Sequence, residues 1–404
     1  MRNLAKDLNT GAGIVSLVVA VLSAAIKGFP EQSNEIAGRV GIPAALIEPQ
    51  ASLAFIVGAM LVLLLTLLIR ARLERNRDHV ADAVERYRKN ATDLTSDAAG
   101  GRVVDIAVKE PTLMMAGKGE TWETQVNLLA EAYKLDAAEF AAEVARRRSA
   151  LKHNASHLIL QDPPWLEAHG GNDWREPGAN TSRLTGFACD YAMIQALTDA
   201  KFARHPKDPW RDVARVSGNT IFVSKEKQCL ILHRRARFSI DGKPMAFGGH
   251  LHMVGGNFEP SHDGASLAET ACREAKEEIG LKLIPHNVPC LLMREDGTNW
   301  HMAVFLGVEV GRDYLQKHAA GALTYQTWEG DPEVISFRRL EEILRTNHVV
   351  PTCYQAVVAW LLAGAPVSTG GSAMWKWRAV RLGKRLAKIP AKFRREGVAG
   401  DEIR

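Results

Sequence analysis

Residues 266–281 read SLAETACREAKEEIGL, and this stretch decides the fold. On a helical wheel at about 100° per residue, Glu274, Glu277 and Glu278 fall within an arc of about 100°. Ala268, Cys272, Ala275 and Ile279 form an opposing apolar stripe, which predicts that the helix packs against a sheet. Gly280 predicts the helix end, because glycine enters the left-handed conformation that closes many helices without a steric penalty. Three carboxylates this close repel one another, and a merely solvated face would intersperse more Lys or Arg. A hard divalent cation relieves the repulsion, and phosphate oxygens commonly complete its shell, so Mg²⁺ is the expected metal, with Mn²⁺ as the alternative. Arg273 lies one turn before Glu277, where it can brace a carboxylate that the metal does not take.

Upstream, residues 255–267 read GGNFEPSHDGASL, a glycine-started loop leading into the helix. Loop and helix together resemble the Nudix box: a glycine, a spaced glutamate, then Arg-Glu-hydrophobic-x-Glu-Glu-x-Gly-hydrophobic. The agreement is close from Arg273 to Leu281. The family's spaced glutamate falls on Ala265, and Glu259 and Asp263 are the two candidates to replace it through a longer loop. The resemblance implies an α/β fold, a Nudix-type α/β/α sandwich with a mixed sheet, over residues 206–365. It also implies that Glu274, Glu277 and Glu278 hold Mg²⁺. Glu277 and Arg273 become the catalytic candidates, and Gly255, Gly256, Glu259 and Gly280 the loop positions around the ligand.

The flanks fit that reading. Residues 219–223 and 229–233 are β-rich runs around a Lys-Glu-Lys turn. Residues 290–294 and 300–309 are candidate strands, 333–342 a further amphipathic segment, and 354–362 an apolar helix.

A second signal lies at the other end of the chain. Residues 8–26 and 51–69 contain no Asp, Glu, Lys or Arg. Each, as a helix, spans about 28 Å, close to the thickness of a hydrocarbon core. A cleaved signal peptide competes for the first run, since Arg2 and Lys6 precede it. Arg70, Arg72, Arg75 and Arg77 follow the second run. The positive-inside rule therefore predicts a two-span hairpin with both termini cytoplasmic. Cys189, Cys229, Cys272, Cys290 and Cys353 are scattered without Cys-x-x-Cys spacing, which fits reduced core thiols.

The expected organisation is a membrane module at 1–75, a helical and loop-rich connection at 76–205, the Nudix-type domain at 206–365, and a basic tail at 366–404. Within the connection, residues 120–152 show helical apolar spacing. The tail carries nine Lys/Arg between Lys376 and Arg395, interleaved with Trp375, Trp377, Leu382, Leu386, Ile389 and Phe393. It suits an anionic leaflet, nucleic acid, or simply a solvated helix. Other candidates include His250 and His252 on one strand face, Glu329 and Glu333 as a general base, and Trp165, Trp174, Trp300 and Trp328 as base-stacking or core residues.

The two apolar runs ahead of a Nudix-like segment resemble the two-transmembrane–Nudix effectors of CBASS antiphage systems. The resemblance implies a cyclic oligonucleotide ligand made by a CD-NTase, the lipid bilayer of a bacterial inner membrane as a second partner, and homo-oligomers on activation. A membrane-anchored Mg-dependent Nudix pyrophosphohydrolase of a nucleoside diphosphate derivative is the alternative.

Overall fold

The structure is a computed structural model that describes residues 79–91, 102–151, 154–160, 183–207, 209–239, 242–245, 247–295, 300–345, 349–368 and 371–389. The apolar runs at 8–26 and 51–69, and Trp165 and Trp174, lie outside the described residues. Among the described residues no helix is long and apolar enough to cross a membrane.

The sheet is organised by β5 (Arg215–Ser224), a ten-residue strand buried along nearly its whole length. Such a run is expected where both faces and both edges are covered. On one edge it pairs in parallel with β10 (Trp300–Glu309), from Arg215↔Trp300 to Val223↔Glu309. β9 (Cys290–Glu295) pairs antiparallel with β10, and β1 (Arg102–Ala107) antiparallel with β9. The other edge of β5 is shared. Its middle takes β8 (Val254–Asn257), and its end takes β6 (Cys229–Arg235). β6 then carries β7 (Leu251–His252), with His233 opposite His252, and also β11 (Gly330–Ser336). At the start of β5, Ile159 of β3 (Ser156–Leu160) pairs with Arg215, and β4 (Arg183–Asp190) and β2 (Thr112–Ala116) follow outward. Parallel and antiparallel pairs coexist, so the fold is α/β with a mixed sheet.

Helices cover both faces. On one lies α5 (Leu267–Ile279), whose Leu267, Ala271, Ala275 and Ile279 are fully buried with Phe222, Val254 and Phe305. On the other lies α8 (Pro351–Leu362), buried at every position from Thr352 to Leu362. A helix that is apolar all round needs cover on its outer side too. Here α1 (His79–Asn90) and α9 (Ala373–Ala387) supply it, with Val84, Tyr87, Ala379 and Leu386 in the same cluster. Tyr354 Oη donates to Leu386 O at 2.9 Å, and Trp375 Nε1 to Ala365 O at 2.8 Å. The first part of the basic tail is thus docked on α8, while Met374 and Trp377 stay exposed.

Residues 76–205, expected as a helical and loop-rich connection, supply β1 to β4 to the same sheet. Their helices α2 (Trp122–Tyr133), α3 (Ala137–Ala150) and α4 (Tyr191–Leu197) share a core with Ile159 and Phe187. The helical spacing of 120–152 is broken into two helices. Lys134 closes α2 at φ 57°, and the Asp136 side chain accepts from Glu139 N at 2.8 Å to start α3. All five cysteines are free, and all but Cys272 are buried. The described residues belong to one unit, His79–Arg404.

Candidate acidic pocket

α5 begins at Ser266, whose hydroxyl accepts from Ala268 N at 3.1 Å. Glu110 reinforces this start, accepting from Ser266 Oγ at 2.7 Å and from Ala268 N at 2.9 Å. A carboxylate at a helix N-terminus also meets the positive end of the helix dipole. The helix ends at Gly280, which takes φ 70°; a Cβ there would also lie 2.7 Å from Thr324 O.

The three glutamates divide in a way the wheel alone does not give. Glu274 and Glu278 are buried and continue the apolar face, whereas Glu277 lies at its edge with its side chain 32% exposed. The acidic arc is therefore not opposite the apolar stripe, and Cys272, expected in that stripe, is only half-buried. The reason is the loop that α5 packs against. The amide of Gly255 donates to Glu278 Oε2 at 2.9 Å, so an inward carboxylate has a partner at the bottom of the pocket. Gly256 leaves room for its neighbour: a Cβ on it would sit 2.2 Å from Glu274 Oε1.

Arg273 holds the wall together. Its Nε donates to Asp263 Oδ1 at 2.8 Å and its Nη2 to Asp263 Oδ2 at 3.1 Å, a two-point contact. Nη2 also donates to Asn257 O at 2.9 Å, and Nη1 lies 2.8 Å from Glu274 Oε1 and 3.4 Å from Glu277 Oε2. Of the two candidates for the missing spaced glutamate, Asp263 takes the arginine, while Glu259 sits 3.6 Å from it and lines the pocket. Asp263 is itself fixed, accepting from Glu259 N at 2.8 Å.

The resulting pocket has a volume of about 220 Å³ and is lined by Glu274, Glu278, Glu329, Glu259, Gly255, Gly256, Asn257, His252, Arg235, Met245 and Trp300. Four carboxylates face one small space. Burial pushes Glu274 up to about 8, with Arg273 opposing and Glu277 and Glu329 adding to the rise. Burial also holds Glu278 well above the ordinary carboxylate range, and Glu274 adds to it. Glu329 is raised by burial and then by Glu277. Burial opposes the charge of Arg273, but Asp263, Glu274 and Glu259 outweigh it and hold the guanidinium above its usual value. Among the described residues, Glu278 has no Lys or Arg within ion-pair distance. A pocket of this sort favours either protons or a cation, and oxygen donors of this number suit a divalent ion.

His252 lines the pocket, and the fully buried His233 lies behind it. His233 Nδ1 lies 2.8 Å from His252 Nε2, and Glu278 Oε1 lies 3.5 Å from the first and 3.8 Å from the second. Burial lowers His233 to about 4 and His252 well below its ordinary value, so both rings are neutral near pH 7. His250, the sequence candidate named with His252, is not part of the cluster of His233, His252 and Glu278; its Nδ1 sits 3.2 Å from Gly248 O. His233 and Arg235 were not among the sequence candidates. The only signal for His233 is its register opposite His252 across β6 and β7. Of the two general-base candidates, Glu329 lines the pocket and Glu333 is held by Arg234 at 2.6 Å instead. Trp300 lines the pocket with its ring under the Arg215 guanidinium at 4.7 Å, and Trp328 is 46% exposed.

No family model matches the chain, and no curated protein matches it. Among solved structures the chain is similar to a mutT/nudix family protein from Listeria innocua, at 19% identity and a TM-score of 0.21, over 31% of this chain and 81% of that one.

Proposed function

We propose that the pocket of Glu274, Glu278 and Glu329 is a divalent-cation site of Nudix type that binds the phosphates of a nucleotide. The observation that carries this reading is the burial of Glu274 and Glu278 against the Gly255–Gly256 backbone with too little positive charge to balance them. A bound cation supplies that charge and presents open positions to phosphate oxygens. Glu274 and Glu278 hold it, Arg273 and Asp263 fix the helix against the loop, and Arg235 and Trp300 face the rest of the ligand.

Joined to the apolar runs at 8–26 and 51–69, the domain is a ligand sensor in a membrane effector of a CBASS-like antiphage system. A cyclic oligonucleotide bound better by an assembled form shifts the population towards assembly. Tethered helices are then concentrated and disrupt the inner membrane. One observation favours a second reading, the anchored pyrophosphohydrolase. Glu329 is a half-buried carboxylate whose proton affinity is raised on the wall facing Glu274, which suits a general base.

The test is to incubate the purified full-length chain with Mg²⁺, Mn²⁺ or Co²⁺ and a panel of cyclic and linear nucleotides, then identify by chromatography what is retained or converted. An intact cyclic oligonucleotide retained by the protein supports the sensor. Turnover of a diphosphate-linked substrate with no cyclic ligand retained supports the hydrolase, and neither outcome with any of the three cations overturns both.

A further inference from the structure

We infer that the cation of this pocket is a transition ion of the Zn²⁺, Co²⁺ and Ni²⁺ class, held by His233, His252 and Glu278. The inference names the cation and puts the two histidines in place of Glu274 among its ligands, leaving Glu274 as charge beside the ion; it rests on the reading above only for the ion's role with nucleotide phosphates.

The three donor atoms, His233 Nδ1, His252 Nε2 and Glu278 Oε1, form a triangle with sides of 2.8, 3.5 and 3.8 Å. A point equidistant from all three lies about 2.0 Å from each, the distance at which zinc takes imidazole nitrogen and carboxylate oxygen. The geometry is built rather than incidental. His233 and His252 are opposed by strand register, their ring planes stand at 79°, and the His233 side chain is fully buried. Glu278 is fixed from behind, its Oε2 accepting from Gly255 N and its Oε1 turned to the two rings. A hydrogen bond between the imidazoles satisfies one nitrogen of each, but it leaves Glu278 Oε1 facing two nitrogens already in use. An ion between the three atoms satisfies all of them.

The donor set chooses the metal. Mg²⁺ asks for oxygen ligands in a near-ideal octahedron, whereas imidazole favours zinc, cobalt, nickel and copper. Three protein ligands with an open fourth position are the arrangement of catalytic rather than structural zinc. That position faces the pocket here, because His252 and Glu278 both line it beside Glu274 and Glu329. A phosphate oxygen or a water can reach the ion from that side.

The test strips the full-length chain of metal with a chelator and titrates it with Co²⁺, whose visible absorption reports nitrogen ligation and low coordination number. One equivalent of Co²⁺ is expected to bind with visible bands that millimolar Mg²⁺ does not remove. His252→Gln and His233→Gln are each expected to weaken Co²⁺ binding by about tenfold to a hundredfold, while His250→Gln keeps the bands. Because a variant at His233 can fail to fold, the wild-type Co²⁺ complex is also read by NMR. Two shifted exchangeable imidazole protons, one per bound histidine, are expected. Absence of the bands and shifted protons overturns the inference, as does equal displacement by Mg²⁺ or an unchanged His252→Gln variant. Nucleotide retained with Mg²⁺ by a chain that fails this test leaves the proposed function standing without it. Co²⁺ held by both histidines in a chain that retains and converts no nucleotide does the reverse.

Discussion

Among the described residues, the carboxylate buried under α9 and those buried in the pocket are treated in opposite ways. Asp82 on α1 accepts from Arg86 at 3.0 Å and from Lys376 of α9 at 2.8 Å. Burial raises its proton affinity, but the Lys376 and Arg86 contacts outweigh that and the carboxyl is held below its ordinary value. Glu274 and Glu278 have one such arginine between them, and both are pushed upwards. A carboxylate that fastens two helices together comes with its cations in the chain. The pocket pair lacks them, which is the arrangement expected where the missing charge is brought by a ligand.

Removing a carboxylate should therefore have opposite consequences at the two places. The largest effect is expected from Glu278→Gln: divalent-cation binding by calorimetry falls at least about a hundredfold, while the metal-free melting temperature rises. Asp82→Asn leaves Arg86 and Lys376 facing a neutral group, and thermal or denaturant unfolding is expected to lose about 2 kcal/mol, with cation binding unchanged. Gly256→Ala puts a methyl against Glu274 and is expected to weaken cation binding about tenfold with a smaller loss of stability.

pH separates the sites with less perturbation. For Glu274 the folded value of about 8 exceeds its ordinary value of 4.5, so the folded chain binds the proton more tightly. Its contribution is complete below about 4.5 and is lost as pH rises through about 8. For Asp82 the folded value lies below its ordinary 3.8, so its contribution is present above that value and lost as pH falls through the lower one. Buried neutral His233 and His252 gain stability as pH rises towards their ordinary 6.5 and oppose Glu274 below it. The metal-free melting temperature is therefore expected to decline from about pH 7 to pH 8 in wild type, and saturating divalent cation is expected to remove the decline. The smallest effect is expected from Glu333→Gln. It breaks a partly exposed pair with Arg234, worth under about 1 kcal/mol, and leaves cation and nucleotide binding unchanged.

Local chemistry was legible in the sequence where it depends on neighbours along the chain. α5, its Gly280 end and the strands around 219–233 and 290–309 follow from periodicity and turn residues. The inward turn of Glu274 and Glu278 does not, because it depends on the amide of Gly255 and the bare Cα of Gly256 arriving from β8. The choice of Asp263 over Glu259 depends on how the long loop folds back over Arg273. His233 and His252 meet only through strand pairing, and a search for spacing along one strand finds His250 instead. The four strands within 76–205 were hidden for the same reason. β1 is paired with β9, far along the chain, and Gly186 and Asp190 in β4 weaken its own β pattern.

The most direct measurement of the central claim is the melting temperature of the full-length chain and its Glu278→Gln variant at pH 7.5, metal-stripped and with a saturating divalent cation. The stripped variant is expected to melt above stripped wild type, and the cation to raise only wild type. A stripped variant that melts lower, with both proteins raised equally by the cation, would contradict it.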